Sequence, residues 1–226
     1  MALPFVILMT GRTGSSHLVS CLDSHPRVIA EGERLVGLPE AGRQLEWIDR
    51  FYRRRRFRAK AVGFKTKLKD VLDLGAFTDR LLGHRVHVIH MVREDTLRQA
   101  ISVLRARELK AEHGVWNRGR DTPQLGPSHI DPGELSLALD EVVRHSEELA
   151  RFVSDLGLPG QTVRYEDLLR DPDTAIGSVQ DGLGLRRAPL VGSTRKTTDD
   201  RLERIISNYD EVRGHLLGTE FERFLT

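Results

Sequence analysis

The 226-residue chain predicts an α/β fold, with a mainly parallel central sheet and helices on both faces, three layers in all. Three observations carry that expectation. Short apolar runs recur without polar alternation, as strands buried on both faces require. Segments with apolar residues at helical spacing fall between them. Strands and helices in alternation wind into parallel sheets. The length suits a single domain over 1–226.

The elements follow in order. "PFVILM", residues 4–9, is the first strand, and the glycine-rich "TGRTGSSH", residues 10–17, leaves it. Leu18, Val19 and Leu22 then share a helical stripe within Ser16–Leu22. "RAKAVGFKTKL", 58–68, contains a second strand centred on Ala61–Lys65, and "RVHVIHMV", 85–92, a third, rich in β-branched residues. Asp95 opens a helix whose stripe is Leu97, Ala100, Ile101 and Leu104, while Arg98, Ser102 and Arg105 share a polar flank. Residues 110–133 are rich in Gly, Pro and polar groups, and a loop of that length reads as a functional lid or a disordered segment. The next helix carries Leu135, Ala138, Leu139, Val142, Leu149 and Val153 on one stripe and stops at Gly157. "GQTVRYEDLL" is a short strand ending near Arg164–Tyr165, "DPDTAIGSVQDGLGL" a helix, and "TTDDRLERIISNYDEVRGHL" a helical tail.

Bulk properties exclude several classes. The net charge of +2 gives no global pull toward nucleic acid or anionic membrane. Cys21 is the sole cysteine, so no intrachain disulfide forms, which fits a reducing compartment. The apolar run Ala2–Met9 is too short to span a membrane and has no basic region before it. The expectation is a soluble cytoplasmic protein without integral membrane contact. "RRRRFR", 53–58, is the densest basic run, and the Arg53–Arg56 stretch reads as a solvated surface or as steering for an anion.

Ligands of open parallel sheets bind at the carboxyl ends of strands. That places the loop at 10–16 and the chain after Val92 and Tyr165 on one rim. In the loop, Gly11 and Gly14 let backbone N–H groups face one anion, and the following helix N-terminus adds positive potential. Ser15 and Ser16 add hydroxyls, and Arg12 adds charge. Only two residues separate the glycines, and no lysine precedes the serines, so the ATP/GTP loop G-x-x-x-x-G-K-[ST] is absent. The dinucleotide G-x-G-x-x-G is absent too.

"RTGSS" resembles the 5′-phosphosulfate loop of the sulfotransferases that use 3′-phosphoadenosine 5′-phosphosulfate (PAPS). "MVREDTLRQAIS" resembles the same family's 3′-phosphate motif, with Arg93 at a strand end and Ser102 nine residues on. The resemblance implies a P-loop-like three-layer fold. It implies that Arg12, Thr13, Gly14, Ser15, Ser16 and His17 hold the phosphosulfate, that Arg93 and Ser102 hold the 3′-phosphate, and that Tyr165 lies near the adenine. "STRKTTDDRL", 193–202, resembles the family's closing basic loop, with Arg195 and Lys196 over the 3′-phosphate, although the glycine of the cytosolic branch is Thr197 here. "HPRVIAEGERL", "VGFK" and "LRQAIS" are closest to bacterial carbohydrate and lipid sulfotransferases. By that resemblance Glu33 is the first choice of general base, with Glu31 two residues away and His17 as the runner-up. Lys65 holds the sulfuryl oxygens or the acceptor. The implied reaction moves a sulfuryl group from PAPS to a hydroxyl of a carbohydrate, glycolipid or other small molecule, releasing 3′,5′-adenosine bisphosphate. It requires no metal. His84, His87 and His90 fall at period three, but the last two share a strand and face opposite sides. The expected partner is thus the acceptor and not a nucleic acid, and bacterial relatives include homodimers. The rival readings are a P-loop nucleotide kinase, disfavoured by the missing lysine, and an RNA-binding module, disfavoured by sparse aromatics around the arginine run.

Overall fold

The computed structural model describes residues 2–53, 59–116, 125–192 and 201–225. These form two compact units, Met1–Val92 with Ser146–Thr194, and Arg93–His145 with Arg195–Thr226.

The first unit holds a sheet of β1 (Leu3–Met9), β2 (Val28–Glu31), β3 (Ala61–Thr66), β4 (His87–Val92) and β5 (Gly160–Arg164). Their order is β2-β3-β1-β4-β5, and each pairing is parallel. All five strands therefore end on one edge. The chain leaves β1 toward β2 and leaves β4 toward β5, so the connections diverge between the neighbours β1 and β4, where α/β sheets bind ligands.

The two-residue side-chain period builds three layers from β1 alone. Phe5, Ile7 and Met9 face one core with Leu18, Cys21 and Leu22 of α1 (Ser15–Asp23). The same core takes Leu168 of α6 (Tyr165–Arg170) and Ile176 and Val179 of α7 (Pro172–Gly182). Val6 and Leu8 face the other, with Ile48 and Phe51 of α2 (Ala41–Arg53), Phe77 and Leu81 of α3 (Leu74–His84), and Leu149 and Leu156 of α5 (Pro132–Leu156). Each such fully buried aliphatic or aromatic side chain is worth about 1.5–3 kcal/mol over its exposed state. Gly63 is required by close approach, because a Cβ there would lie 2.3 Å from the Phe5 ring and 2.4 Å from its carbonyl oxygen.

The second unit packs α4 (Thr96–His113), the first part of α5, α8 (Leu202–Ile205) and α9 (Tyr209–Leu216) around Leu97, Ile101, Leu135, Leu139 and Val212. Asp95 caps α4 as expected, accepting from the Arg98 N–H at 2.8 Å. The helix continues to His113, so the first residues of the expected 110–133 loop are helical, while 117–124 lie outside the described residues. The tail helix is broken at 206–208. There Asn208 leaves the helical pattern to bond both the Ile130 N–H and carbonyl, each at 2.9 Å.

Three further elements, β2, α2 and α3, occupy segments in which the sequence reading placed no element. β2 is only four residues long, and α2 buries Gln44, Ile48 and Phe51 with Trp47 and Tyr52 partly buried beside them. No helix among the described residues is long and apolar enough to cross a membrane.

Candidate active site

The rim is built where β1, β3 and β5 end. Thr10 to Gly14 leave β1 and turn into α1 through two left-handed residues, Arg12 (φ 66°) and Gly14 (φ 77°). Glycine is needed at 14 for a second reason. A Cβ there would lie 2.7 Å from Cδ2 of Tyr165, so the tyrosine ring lies flush against the loop. Thr13 is fully buried and its hydroxyl donates to the Thr10 carbonyl at 3.2 Å. Its side chain therefore shapes the loop from inside. Ser15 and Ser16 form the first turn of α1, where backbone N–H groups have no acceptor within the helix. The first turn carries no acidic residue, so the positive end of the helix is unscreened by its own side chains.

Lys65 reaches this turn from the end of β3. Its Nζ donates to Ser16 Oγ at 2.7 Å and lies 3.4 Å from Ser15 Oγ. On its other side it pairs with Glu33 Oε1 at 3.0 Å. Glu33 follows β2, and its second oxygen is held by Lys67, which also pairs with Asp70 at 3.2 Å. The rim thus carries a continuous chain: Ser16, Lys65, Glu33, Lys67, Asp70. Burial pushes the Glu33 carboxyl up, but Lys65 and Lys67 outweigh it and hold it below its ordinary value. Lys65 moves down, because burial and the nearby charges of Lys67 and Arg12 outweigh Glu33. Burial also works against the Lys67 ammonium, yet Glu33 and Asp70 prevail and raise it.

The two rival bases sit differently. Glu31 accepts from Arg34 Nε at 3.0 Å and Nη2 at 2.8 Å, a half-exposed pair within its own segment. His17 lies 3.6 Å from Cys21 Sγ, and a Cβ on Gly192 would approach its ring to 2.5 Å.

In the second unit Arg93 directly follows β4 and Ser102 lies on α4. Ser102 is buried at 5% exposure, so the expected polar flank is sheltered. Its two arginines are engaged in that unit: Arg98 with Asp95 and the Phe224 carbonyl, and Arg105 with Ser128 and the Ile205 carbonyl. Arg195, Lys196 and Arg54–Arg56 lie outside the described residues. Lys67 and Asp70 were not singled out from sequence. The available signal was the K-x-K spacing of 65–67, which puts both lysines on one face of an extended chain.

No family model matches the chain. It is 26% identical over 242 residues to Nodulation protein H of Rhizobium tropici, covering 98% of this chain and 92% of that protein. Nodulation protein H of Rhizobium meliloti strain 1021 is likewise 26% identical over 242 residues, covering 98% and 94%. Among solved structures, a sulfotransferase from Alicyclobacillus acidocaldarius aligns over the whole of both chains with a TM-score of 0.50 and 14% identity. The all-parallel sheet with its glycine-turned loop after β1 is the arrangement the sulfotransferase motifs imply, and the chain shares the fold of that sulfotransferase.

Proposed function

We propose that the chain transfers a sulfuryl group from PAPS to a hydroxyl of a carbohydrate or glycolipid acceptor. The observation that carries this reading is Lys65, buried at 6% exposure and shared between the hydroxyls of the loop and the Glu33 carboxylate. A buried ammonium poised between an anion loop and a carboxylate suits a transfer in which charge moves between two oxygens. In this reading the 5′-phosphosulfate sits on Arg12, Gly14, Ser15 and Ser16, at the α1 N-terminus. Thr13 contributes backbone rather than hydroxyl, and His17 borders the loop. Arg93 and Ser102 hold the 3′-phosphate, with Tyr165 beside the base and Arg195 and Lys196 closing over the nucleotide.

The reaction is an in-line displacement. The acceptor oxygen bonds to sulfur while the sulfur–oxygen bond to the 5′-phosphate breaks, and that electron pair leaves with 3′,5′-adenosine bisphosphate. The acceptor proton goes to Glu33. Such loose transfers depend on positioning and on charge stabilisation, here by Arg12, Lys65 and the loop N–H groups. Glu33 is favoured over Glu31 and His17 because it alone of the three pairs with the lysine that touches the loop.

Calorimetric titration with 3′,5′-adenosine bisphosphate, beside ATP with magnesium and a short RNA, tests the donor. The bisphosphate binds most tightly if the reading is right, and tighter ATP binding sinks it. Arg93→Ala weakens the bisphosphate by about 10–100-fold, the range of one charged hydrogen-bonding group. Glu33→Gln lowers turnover of labelled PAPS with a panel of carbohydrate acceptors and spares bisphosphate affinity. Near-normal turnover in that variant transfers the assignment to Glu31 or His17.

A further inference from the structure

Two lysines bracket Glu33, and the structure gives them different attachments. Lys65 lies within β3, at the position paired with Ile7 of β1. Ile7 faces the α1 side of the sheet, and that is where Lys65 meets Ser15 and Ser16. Lys67 keeps an extended backbone (φ −101°, ψ 150°), so the alternation carries it to the same face two residues on. Among the described residues it forms no hydrogen bond or ion pair with the loop. Its second partner is Asp70, in the 3₁₀ turn Leu68–Asp70. That turn is braced from α2: buried Gln44 donates to the Asp70 carbonyl at 2.8 Å and accepts from the Leu72 N–H at 3.0 Å. Lys67 is therefore tied to a rigid frame, whereas Lys65 is tied to the loop.

We propose that Lys67, fastened to Asp70, is a positioning residue that holds Glu33 toward the loop while Lys65 serves the donor anion. The inference rests on the reading of Glu33 as the base. A polyanionic donor on the loop competes with Glu33 for the Lys65 ammonium. As Lys65 turns to the sulfuryl oxygens, Oε1 of Glu33 opens to the acceptor hydroxyl, and Oε2 stays on Lys67. The acceptor proton then moves to Oε1 as the new oxygen–sulfur bond forms. Without Lys67, a Glu33 released by Lys65 has no remaining charged partner to fix it. The charged groups around Glu33 are Lys65 and Lys67 from the end of β3, Asp70 behind Lys67, Arg12 acting on Lys65 from the loop, and the Glu31–Arg34 pair on its own segment.

The test reads the Glu33 carboxyl directly. In the full chain labelled with ¹³C-glutamate, the resonance lost in Glu33→Gln is followed against pH, and bisphosphate affinity is measured by calorimetry in parallel. Lys67→Met moves the Glu33 midpoint upward by about one pH unit or more, the usual effect of removing an adjacent opposite charge. It leaves bisphosphate affinity within about twofold, whereas Lys65→Met lowers that affinity by about tenfold, as loss of a charged donor to the anion would. Lys67→Arg keeps the low midpoint. An unmoved midpoint in Lys67→Met, or a loss of affinity equal to that of Lys65→Met, overturns the assignment. Should Lys67→Met fail to fold, Asp70→Asn replaces it: a smaller upward shift supports the role, and none overturns it. Absent bisphosphate binding in the wild-type chain defeats the donor reading alone, since the Glu33 titration still judges Lys67.

Discussion

Gly14 shows how one residue answers to two neighbours. Its left-handed backbone and its contact with Tyr165 each exclude a side chain. Gly14→Ala is expected to cost about 1–3 kcal/mol, combining left-handed strain with overpacking. A lowered thermal midpoint together with weakened bisphosphate binding is the outcome to look for, and an unchanged midpoint would contradict the close contact. The place of Gly14 and the two serines between β1 and α1 was legible in the sequence, because glycines straight after an apolar run mark the turn from strand to helix. The choice between Glu31 and Glu33 was not, since both are loop-edge carboxylates until their partners are known. Arg34 engages one, and Lys65 and Lys67 engage the other. Lys67 escaped notice because a lysine just past a strand needs no role until its contacts are seen.

At the scale of elements, the strands with unbroken apolar runs were readable, and so were helices with long stripes. β1, β3, β4 and α5 fall where the sequence put them. The short β2 buries only Val28 and Ala30, too little pattern to detect. α2 packs on the sheet through a stripe of Trp47, Ile48, Phe51 and Tyr52 that lies among charged residues and runs into the arginine run, and α3 packs through Phe77 and Leu81. Two substitutions probe the elements. Gly63→Ala forces a methyl group into Phe5 across the β1–β3 pair and should cost about 1–3 kcal/mol or more, read as a lower denaturant midpoint. Asp95→Ala removes the side-chain cap of α4 and should cost about 0.5–2 kcal/mol. Amide exchange should then quicken in the first turn of α4 and leave the strands unaffected.

For the molecule as a whole, the ionised rim makes stability depend on pH. The Glu33 carboxyl lies below its ordinary value of 4.5 in the folded chain. Its contribution is therefore complete above pH 4.5 and is lost as the pH falls through its lower folded value. Thermal melting across the acid range should show this loss, and Glu33→Gln should flatten part of the acid slope. The same profile in both proteins would contradict the double lysine clamp. Burial pushes the Cys21 thiol up, so the sole cysteine should react slowly with thiol reagents in the folded state. The division into two compact units was not legible in the sequence. The boundary between Val92 and Arg93 interrupts a continuous strand-to-helix passage that carries no linker composition.

The contact between Tyr165 and Gly14 also has a consequence for biosynthesis. The loop after β1 is finished by a residue synthesised about 150 positions later. At about 5–20 residues per second, that loop waits on the order of 10–30 s for the ring that closes against it. A nascent chain stopped before Tyr165 should therefore expose β1 and its loop without their final packing.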